Sequence, residues 1–371
     1  MKIEYLEIKG FKSAASVILR DVPAFTALAG SNGAGKSNIT DALAFLGAVV
    51  KRGAAQAIRD FGGFQQIHCF KHRKEKRTTI SFAIRINLNG EVFDYNLKIS
   101  RIDRIPQVLE SLKVNGNQII DRKSSDETRI TLSDTHGLQL LPEYAQDMTA
   151  LMLLSHSPLY RMLTNIQVFR IDPLEAKEPD SSTADATTLD SHGRNVATML
   201  SILERNERFR DQVLEWIELI VPGMESVATE KQRLDGSTVI TFKEEGTKAR
   251  FPARLISDGT IYALCIMTAV FSRAGKSGMT IIEEPERGIH PKAIGELVQL
   301  MRENASVEHP IFITTHSESV VRNLDLEELW LVNKEDGKTK VKCALESAVN
   351  KKEIPLDTAW LTNLFDGGLP W

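Results

Sequence analysis

Three short stretches of this sequence carry residue types at spacings that can do chemistry. Gly30-Ser31-Asn32-Gly33-Ala34-Gly35-Lys36-Ser37 fits the phosphate-binding pattern G-x-x-x-x-G-K-[ST]. It follows an apolar strand, Ala24 to Leu28, and opens a helical pattern through Ile39, Ala42, Leu43 and Leu46. Glycines there let successive backbone amides turn toward phosphate oxygens, and the helix N-terminus adds partial positive charge. Lys36 can reach β- and γ-phosphates, and the Ser37 hydroxyl can ligate Mg2+. Gly30, Asn32, Gly33, Ala34, Gly35, Lys36, Ser37 and Asn38 are therefore the expected nucleotide contacts.

The second stretch, Met279-Thr-Ile-Ile-Glu-Glu, is an apolar strand ending in two adjacent carboxylates and then Pro285. Solvated acidic pairs occur on any surface, but a buried strand has little reason to end this way. The order suits a metal ligand followed by a general base: Glu283 toward Mg2+ beside Ser37, directly or through water, and Glu284 toward an attacking water. The third stretch is Thr314-Thr315-His316-Ser317, at the end of another apolar strand. A lone histidine is more often structural; placement after the strand that follows the acidic one makes His316 a candidate γ-phosphate sensor.

The elements that must position these residues alternate between strand and helix. The N-terminus reads as short strands, and the phosphate-loop helix is expected to stop before Gly53. From about Thr78 to Ile120 the pattern alternates, with Asn89-Gly90 and Asn115-Gly116 as turns, which predicts an antiparallel sheet. Residues 121 to 164 read as mixed, helical in their second half, before a strand-like Ile166 to Ile171. Asp172 to Gly193 is acidic, Ser/Thr-rich and proline-broken and reads as a surface excursion. Helices over Val196 to Leu203 and Phe209 to Ile220, a hairpin at Asp235-Gly236, a helix over Ile261 to Phe271 and a hairpin at Asp336-Gly337 complete the pattern. The expected fold is α/β: a mixed-sheet P-loop core with an antiparallel β lobe and a helical lobe. It forms a single domain over 1–371, with the phosphate-loop part in 1–70, the β lobe in 71–120, the helical and insertion lobe in 121–253 and the remaining chemistry in 254–371.

Composition narrows the class further. With 42% apolar and 26% charged residues in 371, a sizeable core is expected. The net charge of −3 makes the whole molecule no electrostatic sponge for nucleic acid. Cys69, Cys265 and Cys343 have no paired spacing, which argues against a disulfide framework or a zinc site. No apolar run reaches the roughly 20 residues of a membrane span and the N-terminus lacks a signal-peptide pattern, so a cytoplasmic location is expected.

Taken together, these motifs resemble the ABC-type ATPase heads of the SMC, RecF and OLD-like group, and within it the compact ATPases named AAA-type but built on the ABC plan. The resemblance covers nearly the whole chain. IKGFKSAASVIL is similar to the group's N-terminal signature and implies that Lys12 and Ser13 lie near the nucleotide; Leu255-Ile-Ser-Asp-Gly-Thr260 resembles the L-S-x-G signature. By that analogy Ser257 and Gly259 contact the γ-phosphate held by a second subunit, so ATP would join two heads. EEPERGIHP resembles the Walker B and D-loop segment, and Thr315-His316-Ser317 the switch histidine. Two departures are plain: no Q-loop glutamine can be chosen among Gln65, Gln66 and Gln167, and the D-loop equivalent, Arg287 to His290, differs from the transporter form.

The resemblance implies a DNA-linked ATPase in repair or anti-phage defence, with a nuclease or other effector as a separate chain, because only about 55 residues follow His316. The basic run Lys71 to Arg77 beside Phe64 and Phe70 is a candidate DNA contact; a solvated hairpin is the other reading. The alternative function is an ATP-driven switch that controls a bound toxin or effector without touching nucleic acid. A transporter motor is disfavoured.

Overall fold

The computed structural model describes residues 3–69, 78–124, 127–131, 137–181, 188–347 and 354–365. The chain opens with a hairpin, β1 (Ile3–Phe11) and β2 (Ala14–Val22), followed by β3 (Phe25–Ala29), α1 (Lys36–Arg52), α2 (Ala54–Asp60) and α3 (Phe64–Ile67). A meander comes next: β4 (Thr79–Leu88), β5 (Glu91–Ser100), β6 (Gln107–Val114), β7 (Asn117–Arg122), β8 (Thr128–Ile130) and β9 (Gln139–Leu141). Then come α4 (Pro158–Thr164), β10 (Ile166–Phe169), α5 (Pro173–Ala176), α6 (Val196–Leu203) and α7 (Glu207–Ile220), with a small sheet of β11 (Met224–Lys231), β12 (Thr238–Glu244) and β13 (Phe251–Pro252). The last third supplies α8 (Asp258–Arg273), β14 (Met279–Glu283), α9 (Pro291–Asn304), β15 (Ile311–Thr315), α10 (Glu318–Arg322), β16 (Leu329–Glu335), β17 (Lys338–Cys343) and α11 (Leu356–Leu361).

Two large sheets organise these elements. The six-stranded sheet runs β10-β14-β15-β3-β16-β17, parallel from β10 through β16 with β17 antiparallel at its edge. Alternate residues of its strands enter different cores. Leu28, Ile281 and Phe312 join the cluster built with α1 and the antiparallel sheet, while Ala27, Ile282 and Ile313 join the one built with α8 and α9. Both faces are thus buried, which is why these strands read as unbroken apolar runs.

The eight-stranded sheet runs β2-β1-β4-β5-β6-β7-β8-β9, wholly antiparallel. Its two Asn-Gly turns carry positive φ at Asn89, Gly90, Asn115 and Gly116, as the predicted hairpins require. It is larger than the span 71–120, because it recruits β1 and β2 and continues through β9. The described residues of 172–193 also depart from the expected surface excursion: Ala176, Asp180 and Leu189 are buried, and Lys177 pairs with Asp258 at the first turn of α8. The basic run Lys71 to Arg77 lies outside the described residues.

Candidate functional site

Parallel pairing puts four loops at one edge of the six-stranded sheet: those after β10, β14, β15 and β3. Ligand sites of open α/β sheets form at this C-terminal edge. The loop after β3 is the phosphate loop. Gly35 has φ 105, and a Cβ there would stand 2.0 Å from Thr339 Oγ1, so only glycine serves. Lys36 is buried, and its Nζ donates to the Gly30 and Ser31 carbonyls at 2.7 and 3.0 Å. Burial lowers its pKa, while the charges of Glu284, Glu286 and Glu283 act in the other direction.

At the end of β14, Glu283 accepts from Thr40 Oγ1 at 2.8 Å and from Ser37 Oγ at 3.4 Å, so the two expected metal ligands stand side by side. Glu284 follows with φ 51, an unusual conformation for a residue with a side chain. The Tyr262 hydroxyl secures the turn by donating to the Glu283 and Glu284 carbonyls at 2.8 and 3.0 Å. His316, after β15, has its Nδ1 3.2 Å from Glu284 Oε1, joining the expected base and the expected sensor.

The signature segment forms the N-terminus of α8. Ser257 caps it, its hydroxyl accepting from the Thr260 amide at 3.2 Å, and remains exposed. Gly259 is buried, and a Cβ there would fall 1.9 Å from the Gly288 carbonyl oxygen. Within the chain, this glycine lets α8 close onto the Arg287 to His290 turn. Lys12 Nζ lies 2.5 Å from Asp41 Oδ2, and the Asn38 amide donates to Ser13 Oγ.

Besides Thr40 and Tyr262, four contributors were not singled out in the sequence. Glu286 accepts from Thr315 Oγ1 at 2.7 Å through Oε1; its Oε2 is buried without a partner among the described residues, and burial raises its pKa. Its signal was its place two residues after Glu284. Thr339 of β17 donates to the Ala34 carbonyl at 3.2 Å and shares a 2.6 Å hydrogen bond with Ser13, so a late strand buttresses the phosphate loop. Arg170, just past β10, and Asp41, one turn beyond Ser37, complete the set: Arg170 Nη2 lies 2.8 Å from Glu283 Oε1 and 2.5 Å from Asp41 Oδ1. Burial opposes the charge on Arg170, but Glu283 and Asp41 outweigh it and the pKa is raised. The strand-end reasoning that found Glu283 and His316 applies equally to Ile166–Phe169 and points to Arg170. Gln167 instead donates to the Leu189 carbonyl and accepts from Arg273 at 2.9 Å.

The residues present fit Mg-ATP. Mg2+ is commonly held by one or two carboxylates plus phosphate oxygens and water, and Glu283 with Ser37 offers such a partial set. Among the described residues no group of three or more His, Cys, Asp or Glu residues forms an all-protein metal cage.

A phosphate loop after β3, acidic residues at the end of β14 and a histidine after β15 are set out on the fold of a P-loop ATPase head. Residues 25–322 match the family model described as "AAA domain, putative AbiEii toxin, Type IV TA system", and the chain belongs to that family. Among solved structures it is similar to an SmcHead bound to the C-winged helix domain of ScpA, with 18% identity, coverage of 92% of this chain and 97% of that one, and TM-score 0.57. It is also similar to the Smc head domain with an extended coiled coil bound to the C-terminal domain of ScpA derived from Pyrococcus furiosus, with 17% identity, coverage of 92% and 96%, and TM-score 0.50. At these identities the likeness is one of fold. No helix among the described residues is long and apolar enough to cross a membrane.

Proposed function

We propose that the chain binds Mg-ATP on the phosphate loop, hydrolyses it, and closes head-to-head with a second copy around the nucleotide. The observation that carries this reading is the chain of contacts Ser37 to Glu283 at 3.4 Å and Glu284 to His316 at 3.2 Å, beside Lys36. Glu284 orients the attacking water and accepts its proton; Lys36 and the loop amides stabilise charge developing on the phosphates; His316 reports the γ-phosphate through its contact with Glu284. Bound Mg2+ would neutralise phosphate charge as a Lewis acid, held by Ser37 and Glu283. Exposed Ser257 at a helix N-terminus suits a phosphate brought by a partner, whereas buried Gly259 acts by allowing close packing.

The biological setting we infer is DNA repair or anti-phage defence with an effector or nuclease partner. A second reading, ATP-driven control of a bound toxin or effector without nucleic-acid contact, gains support from the family description, which names a toxin–antitoxin system.

Light scattering after size exclusion, with and without Mg-ATP, tests the core of the proposal. Glu284→Gln is expected to keep ATP binding, lose turnover by roughly 100-fold or more, and shift from monomer to dimer with Mg-ATP. Lys36→Ala is expected to lose binding. Normal turnover in Glu284→Gln would remove the base assignment, and a mass indifferent to ATP would remove the clamp.

A further inference from the structure

The carboxylate assigned to the metal already holds a cation. Arg170 Nη2 bridges Glu283 Oε1 and Asp41 Oδ1 at 2.8 and 2.5 Å, and Lys12 Nζ closes the row 2.5 Å from Asp41 Oδ2. Lys12, Asp41, Arg170 and Glu283 alternate in sign, so the row is neutral as a whole. Four separate elements supply it: the β1–β2 turn, α1, the end of β10 and the end of β14. The carboxylate side chains are 16% and 15% exposed and the arginine 43%, so the anions are enclosed and the guanidinium is the member with room to move.

A divalent cation on Glu283 and Ser37 would place two positive charges next to the guanidinium on one carboxylate. Like charges that close repel, and more so in a partly enclosed site than in water. Arginine cannot relieve the conflict by losing its proton. It has to move, and Asp41 offers a place, because Arg170 can release Glu283 while keeping that bond.

The geometry points to Arg170 as a resident counter-ion that competes with the magnesium of Mg-ATP for Glu283 and yields the carboxylate by retreating onto Asp41, thereby setting the cation concentration at which the site loads. This rests on the reading of Glu283 as the metal carboxylate.

The experiment is a Mg2+ titration of the full chain with a fluorescent N-methylanthraniloyl ATP, following binding and not turnover. Arg170→Gln is expected to lower the half-saturating Mg2+ concentration by roughly fivefold, the ratio that one half-exposed charge contact supports. Asp41→Asn removes the retreat and is expected to raise it; loss of structure would not drive the two variants in opposite directions. Arg287 lines the same cavity and has no bond to Glu283 among the described residues, so Arg287→Gln should leave the midpoint within about twofold, a screened through-space effect. A rise or no change in Arg170→Gln, or an equal fall in Arg287→Gln, overturns the competition. Glu283→Gln separates the two readings. If it raises the Mg2+ requirement while Arg170→Gln does not lower it, the competition fails and the metal assignment stands; if it changes nothing, both fail.

Discussion

The two large sheets meet in one core but obey different rules. In the eight-stranded sheet, burial alternates along β4 and β5, and from β5 onward each strand pairs with the one before it in sequence. In the six-stranded sheet, β3 and β15 are buried at every position, and their neighbours come from distant parts of the chain. A sheet covered on both faces leaves polar groups a place mainly at its strand ends, and the phosphate loop, Glu283, Glu284 and His316 are there. The open face of the eight-stranded sheet can carry charges anywhere along it, and a solvated pair there is worth little.

The sharpest way to break this comparison is Arg273, at the end of α8. It is buried with all five guanidinium donor positions satisfied by neutral acceptors: Thr280 Oγ1, the Asn165 side chain and carbonyl, Gln167 Oε1 and the Met279 carbonyl. Burial pushes its pKa down to about 10. Arg273→Met strands those acceptors at the entry to β10 and β14 and is expected to cost about 3–5 kcal/mol by urea unfolding. A loss under about 1 kcal/mol would mean that the network does not hold this sheet together.

Acid should reveal the same network more gently. His309 Nδ1 lies 2.6 Å from the Lys276 carbonyl and Nε2 2.7 Å from Thr280 Oγ1, so the neutral ring donates at Nδ1 and accepts the threonine proton at Nε2. Burial, with the charge of Arg273, pushes its pKa down from 6.5 to about 4. Below pH 6.5 the unfolded chain takes a proton that the folded one refuses. Stability from this group is therefore complete above that pH and falls toward pH 4, by up to about 3 kcal/mol. Comparing unfolding profiles with His309→Gln isolates the effect; parallel profiles would exclude it.

The smallest effect belongs to the other sheet. Arg85 on β4 pairs with Glu4 on β1 at 2.8 Å, with both side chains well exposed. Arg85→Ala is expected to change stability by less than about 0.5 kcal/mol. A larger loss would erase the contrast between the sheets.

Legibility from sequence follows the same division. The phosphate loop, the strand-end pair Glu283-Glu284 and the Asn-Gly hairpins were readable because each is a contiguous run of residues. Asp41 and Thr339 were not, because their roles exist only across the fold: the Ser13–Thr339 hydrogen bond spans 326 positions. Tyr262 reads as one more apolar residue of α8 until its hydroxyl is seen on the turn after β14. The described part of 172–193 shows the converse error, since acidic and Ser/Thr-rich composition suggested a surface excursion where Lys177 and Asp180 anchor the chain.

The position of β3 has a consequence for how the protein is made. Its two neighbours are Ile311–Thr315 and Leu329–Glu335. At ordinary translation rates the ribosome needs roughly 15 to 60 seconds to go from one to the others. The hairpins of the antiparallel sheet can close as they emerge, but Phe25–Ala29 waits with both edges unpaired, an apolar template for wrong partners. Nascent chains stalled before residue 311 should therefore be the ones that chaperones hold, and the nucleotide pocket is among the last features the growing chain can assemble.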